Sequence, residues 1–153
     1  MDTYHVELAG FRTGGWFALL SSIACAGATT YFGEYKWAWG FALVGLLGLY
    51  FLLGVGHYDF DPRGMTCESA FGTWRILWDE IIRVEMGTDG TNIFYGDNKQ
   101  FVLPHPNQWA RSSRDEAVAF VNGQLSARQL AATESAHSAA YKTMKNTRIK
   151  RHI

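Results

Sequence analysis

The chain has 153 residues and a formal net charge of zero at pH 7, with 14 Lys and Arg against 14 Asp and Glu. That balance supplies no global field for nucleic acid, and the length allows one small domain beside any membrane segment. The only cysteines, Cys25 and Cys67, exclude a disulfide framework and read as small apolar side chains.

Two stretches, Gly14 to Phe32 and Trp37 to Gly56, contain no Lys, Arg, Asp or Glu. Each is about the ~20 residues that carry a helix across ~30 Å of hydrocarbon. Only Gly33, Glu34, Tyr35 and Lys36 separate them, so an antiparallel transmembrane hairpin is expected, with both open ends on one side. A cleaved signal peptide fits poorly, because one Arg precedes the first stretch and a second follows at once. Aromatic residues gather at both ends of both stretches. Trp16, Tyr35, Trp37, Trp39 and Tyr58 are expected at headgroup level, where amphipathic rings are favoured. Small residues recur along the stretches, at Ala18, Ser22 and Ala26 in the first and at Gly45 and Gly48 in the second. Such faces let helices approach closely in lipid, either within the hairpin or against another protein's helix. No ionisable group lies inside either stretch, which argues against a proton or ion path. His5 and His57 flank them without a ligand partner at useful spacing. Lys36 in the loop is outweighed by Arg12, Arg63 and Arg75 on the open side, which favours both termini in the cytoplasm.

From Tyr58 the pattern changes to short alternating segments divided by turn signals. HYDF, MTCESAF, TWRILW, IIRVEMG, TNIFYG and KQFVLPHP read as six antiparallel strands. Asp61-Pro62-Arg63-Gly64 and Thr88-Asp89-Gly90 carry turn chemistry. In TWRILW, Trp74, Ile76 and Trp78 alternate onto one face. Ser113 with Glu116 forms a capping box, and Val118, Val121 and Leu125 make a helical stripe that would plug the curled sheet. Gly123 reads as a helix stop, and Ser126 with Gln129 as a second capping box. Two helices are therefore expected, over residues 114–122 and 127–146. The tail after Tyr141 is basic, with Lys142, Lys145, Arg148, Lys150 and Arg151 and no acid.

This order, together with Trp78-Asp79-Glu80-Ile81 leading into Val84 and the later FVLP, resembles bacterial pleckstrin-homology-like domain proteins. Many of these carry a short two-helix membrane segment before the domain. The resemblance spans about Tyr58 to Leu125. It implies a strongly bent antiparallel sheet capped by a C-terminal helix, with Trp78 buried at a sheet corner, and no shared active site. The expected organisation is residues 1–57 as N-terminal segment and membrane hairpin, 58–125 as a PH-like α+β domain, and 126–153 as helix and basic tail.

The remaining chemistry is sparse. Asp59 and Asp61 share a strand face but lack calcium-loop spacing. Asp79 and Glu80 are adjacent, so on a strand they would face opposite ways. His105, His137 and His152 have no zinc spacing with one another or with Cys67. No catalytic residue, metal ligand or cofactor is assigned. Trp109, Arg111 and the basic tail are expected to contact a partner or anionic headgroups. The functional expectation is a non-enzymatic accessory, assembly or scaffolding subunit of a bacterial inner-membrane complex, bound to other membrane subunits and to the bilayer, with no nucleic acid. The alternatives are a stand-alone lipid- or peptide-binding sensor and a membrane enzyme.

Overall fold

A computed structural model describes residues 3–135 and 148–149. The chain is mixed α+β and forms two units, one made of residues up to Glu7 and from Gly56 onward, the other of Leu8–Val55. The N-terminal segment thus belongs with the β unit, contrary to the expected first boundary. Its period-two pattern explains why: Val6 is fully buried while His5 and Glu7 are exposed, as a half-buried strand requires.

The β unit contains two sheets. The first has the order β1 (Tyr4–Glu7), β2 (His57–Asp61), β3 (Gly64–Ser69), β4 (Gly72–Leu77) and β9 (Arg148–Ile149). The second has the order β7 (Gln100–Leu103), β6 (Asn92–Tyr95), β5 (Arg83–Met86) and β8 (Ala132–Glu134). Among the described residues, all pairings are antiparallel except β5 with β8, which is parallel. The six strands expected between Tyr58 and Pro104 are β2 to β7. Pro62–Arg63 turns the β2–β3 hairpin, and Asp61 Oδ1 fastens it by accepting from the amides of Arg63 (2.6 Å) and Gly64 (2.8 Å). Gly90 adopts φ +76° in the β5–β6 turn, where its missing Cβ leaves room for the His105 ring.

Inward-facing Phe60, Met65, Ile76, Trp78, Ile93, Phe94 and Phe101 form the core. Trp78 is fully buried at the step between the sheets, in a short 3₁₀ turn over Trp78–Glu80. Its indole donates to Asp61 O at 2.8 Å, and its amide donates to Arg63 O at 3.0 Å. Asp79 and Glu80 therefore lie on a turn and not on a strand. Asp79 pairs with Arg128 at 2.9 Å and Glu80 with Lys99 at 2.6 Å.

The C-terminal region departs from expectation. One helix, α3 (Arg111–Ala127), runs through Gly123 and replaces the first predicted helix and its stop. Ala117 and Val121 are its buried residues, and the Phe120 ring meets Tyr4 at 5.0 Å and Trp78 at 6.3 Å. Ser113 lies inside the first turn instead of capping it, and its hydroxyl donates to His5 O at 2.8 Å. Ala110 N donates to Glu7 O at 2.9 Å, so the start of α3 covers the open edge of β1. The chain leaves the helix through Gln129 at φ 56° and becomes β8, so the second predicted helix is absent from its described part. Residues 136–146 of that expectation lie outside the described residues.

The other unit is α1 (Ala9–Tyr31) and α2 (Tyr35–Gly54), joined by Phe32–Glu34 with Gly33 at φ +81°. The two pack closely through small residues: a Cβ added at Gly48 would lie 3.0 Å from Leu19 N and 3.2 Å from Ala18 Cβ. A Cβ at Gly45 would lie 3.3 Å from Ser22 Cβ. Among the described residues, α2 alone is long and apolar enough to cross a membrane, with a mean hydropathy of 1.8 and 11% of it buried. The two stretches are therefore not equivalent, since Arg12 and the hydroxyl residues Thr13, Ser21, Ser22, Thr29 and Thr30 dilute the apolar content of α1, whereas α2 has no Ser or Thr.

Candidate functional site

The alternation that buries Val6, Tyr58 and Phe60 turns His5, Glu7, His57 and Asp59 to the opposite face of the first sheet. Register then brings them together: His5 lies opposite Asp59, Glu7 opposite His57, and His57 opposite Glu68 on β3. His5 Nδ1 is 2.7 Å from Asp59 Oδ1. His57 Nε2 is 3.6 Å from Asp59 Oδ2 and 3.7 Å from Glu68 Oε2. The two imidazole centroids are 4.7 Å apart, tilted by 41°. Asp59 therefore offers one oxygen to each imidazole. The side chains are part-exposed, from 29% at Asp59 to 52% at His5, so the group is open to solvent and small solutes.

The expectation that His5 and His57 lack partners is corrected. Both helices lie between them in sequence, so no local spacing could reveal the cluster. The available signal was the four-residue alternation Tyr4-His5-Val6-Glu7, which matches the His57-Tyr58-Asp59-Phe60 alternation after the helices. His105 is elsewhere, with Nδ1 accepting from Asn107 N at 3.0 Å in a short turn.

The inner side of these strands is inert. Burial pushes the Cys67 thiol up to about 11 and the Tyr58 phenol well above its ordinary value, so both stay protonated near neutrality. Tyr58, expected at headgroup level, is 5% exposed and stacks edge-on against Phe101 at 6.0 Å. Its position in β2 turns it into the core. Trp109 is likewise 4% exposed, 5.6 Å from the Phe60 ring, with its indole donating to Pro104 O at 3.0 Å. It closes the core and is withdrawn from partners and headgroups. Arg111 is exposed at the start of α3.

On the helical unit, Trp16, Tyr35, Trp37 and Trp39 are 50–76% exposed. Ala18, Ser22, Gly45 and Gly48 serve the contact of α1 with α2, and that use occupies the face that might have received a foreign helix. Ala26 is half-buried, while Gly14, Gly27 and Gly40 have open space where a Cβ would stand. Lys142, Lys145, Lys150 and Arg151 lie outside the described residues. Arg148 begins β9, opposite Trp74.

No protein-family model, no curated protein and no solved structure matches the chain.

Proposed function

We propose that the protein is a non-enzymatic, membrane-anchored accessory or assembly subunit of a larger membrane-protein complex. The observation that carries this reading is the surface of the helix pair. Leu20, Ile23, Leu43, Leu46, Leu47 and Phe17 are each more than half exposed, so the apolar side chains point outward. A core helix of a soluble protein would bury them, and a soluble surface rarely shows so large an apolar area. The hydroxyls fit the same setting. Ser21, Ser22, Thr29 and Thr30 each donate to the carbonyl four residues earlier, at 2.7, 2.6, 3.0 and 2.7 Å. Hydrocarbon demands such internal satisfaction. If α2 is embedded, its short link and close packing carry α1 with it as a hairpin.

Support for a partner comes from Gly14, Gly27 and Gly40. In lipid, helix association depends on close packing, and these glycines are not used between α1 and α2. The β unit agrees with a PH-like domain in one respect: four antiparallel strands, then three, then a helix. It differs in placing the helix pair between β1 and β2, and in the parallel β8. The resemblance therefore supports a binding role more than any chemistry. On this reading the β unit and the basic tail face the cytoplasm of a bacterial inner membrane.

The test is alkaline extraction of membranes, followed by mild detergent and native-size analysis. The protein should resist extraction and co-migrate with a large complex. Release by alkali would refute the anchor, and migration as a small particle would refute the subunit role in favour of a lone sensor.

A further inference from the structure

We infer that His5, His57 and Asp59, with Glu68 beside them, form a binding site for a divalent transition-metal cation, with Zn²⁺ the best fit. A tetrahedral ion with bonds of about 2.0–2.2 Å holds its ligand atoms about 3.3–3.6 Å apart. His57 Nε2 stands 3.6 Å from Asp59 Oδ2 and 3.7 Å from Glu68 Oε2, close to that separation with no ion between them. One ligand atom each from His5, His57 and Asp59 lies within 4.8 Å of the others. The His5 Nδ1 contact with Asp59 Oδ1, at 2.7 Å, is a hydrogen bond that opens by a fraction of an ångström as Nδ1 turns to the ion.

The donor set selects the metal. Two imidazoles with a carboxylate suit Zn²⁺ and its d-block neighbours, whereas Mg²⁺ and Ca²⁺ prefer all-oxygen shells. The carboxylates also neutralise the dication, which two imidazoles alone would not. His5, His57 and Asp59 supply three ligands, and Glu68, 3.7 Å from His57 Nε2, or a water completes the tetrahedron.

Its effect follows from where the ligands sit. They come from the neighbouring strands β1 and β2, with Glu68 on the adjoining β3. Strand β1 is only Tyr4–Glu7, and it leads directly into α1, while β2 follows directly from α2. A cation here ties together the strands by which the chain enters and leaves the helix pair. This inference does not depend on the proposed subunit role.

The test uses the full chain, purified in detergent and stripped of metal. Titration with Zn²⁺ by calorimetry, and with Co²⁺ by its visible absorption, should show one site with the bands of four-coordinate cobalt. His5→Gln, His57→Gln and Asp59→Asn should each weaken binding by at least about tenfold, since even outer-shell changes at metal sites cost 10–100-fold. All three positions are part-exposed, so the variants should fold, which circular dichroism checks. His105→Gln, and His137→Gln combined with His152→Gln, should bind as wild type. Zn²⁺ should raise the melting temperature of wild type and not that of His57→Gln. The inference is overturned if wild type takes up no Co²⁺ at micromolar concentration, or if the three cluster variants bind like wild type. It is also overturned if Ca²⁺ or Mg²⁺ competes equally, because the group would then be only an acidic surface.

Discussion

Trp78 joins the two sheets and the helix, and two substitutions there should separate its contributions. The side chain is fully buried, its indole N–H holds Asp61 O at 2.8 Å, and its ring meets Phe120 edge-on at 6.3 Å. Trp78→Ala removes the whole indole and leaves a cavity, a change that costs about 3–5 kcal/mol in well-packed cores. Trp78→Phe keeps most of the apolar volume and removes the donor to Asp61 O, for which about 1–3 kcal/mol is expected. For a domain of this size each kcal/mol lowers the melting temperature by about 4–8 °C. The Ala variant should therefore melt about 12 °C or more below wild type, and the Phe variant should lose clearly less. Hydrogen–deuterium exchange of the β2–β7 amides in the detergent-solubilised protein follows the β unit as temperature rises, because Trp16, Trp37 and Trp39 on the helix pair would also contribute to a near-ultraviolet signal. An Ala variant melting within about 2 °C of wild type would refute the placement of Trp78. A Phe variant as damaged as Ala would refute the division between volume and hydrogen bond.

Two further outcomes are expected. Gly48→Leu should disrupt the packing of α1 on α2, because a Cβ there already lies 3.0 Å from Leu19 N, whereas a Cβ at Gly40 meets nothing within 4 Å, so Gly40→Leu should leave that packing intact; cross-linking of cysteines placed on the two helices reads the difference. Glu80 is held below its ordinary carboxyl range, first by the Lys99 hydrogen bond and then by the Leu77 amide. A depressed folded-state value stabilises above the unfolded-state value of about 4.3 and loses that effect as pH falls through the folded value. Lys99→Met should therefore lower the denaturation midpoint at pH 7, with the gap from wild type closing as pH falls below about 4.

Local patterns in the sequence carried much of this structure. The alternation from Tyr58 to Leu103 outlines six strands, because most inward residues are apolar and each turn holds Pro, Gly, Asp or Asn. The corner position of Trp78 came with the family resemblance, and the residue sits on a 3₁₀ turn beyond the end of β4. Other features were settled by long-range pairing. Residues 4–7 show only four alternating positions, too few to announce a strand until β2 offers its edge. Gly123 looked like a stop, but the helix continues because Ala117 and Val121 before it and half-buried Leu125 after it share the face that packs inward. Ser113 seemed a cap until His5 O, far away in sequence, proved to be its acceptor. The histidine cluster was hidden for the same reason, since its members meet only through the register of β1 on β2.

The position of the helix pair has a consequence for how the molecule assembles. Strands β1 and β2 are adjacent and antiparallel, with Glu7 opposite His57, so the whole helical unit occupies the place of a hairpin turn. An unstructured loop of that length would add entropy to the closing of β1 on β2, with each doubling of length costing about 0.6 kcal/mol. A pair of helices that has already folded back on itself removes most of that cost, since Gly15 and Leu52 are then in contact. Pairing of β1 with β2 is therefore favoured once the helices have met, although β1 is first to be synthesised. Excising residues 9–55 and joining the strands by a two-residue turn should for the same reason leave the β unit able to close.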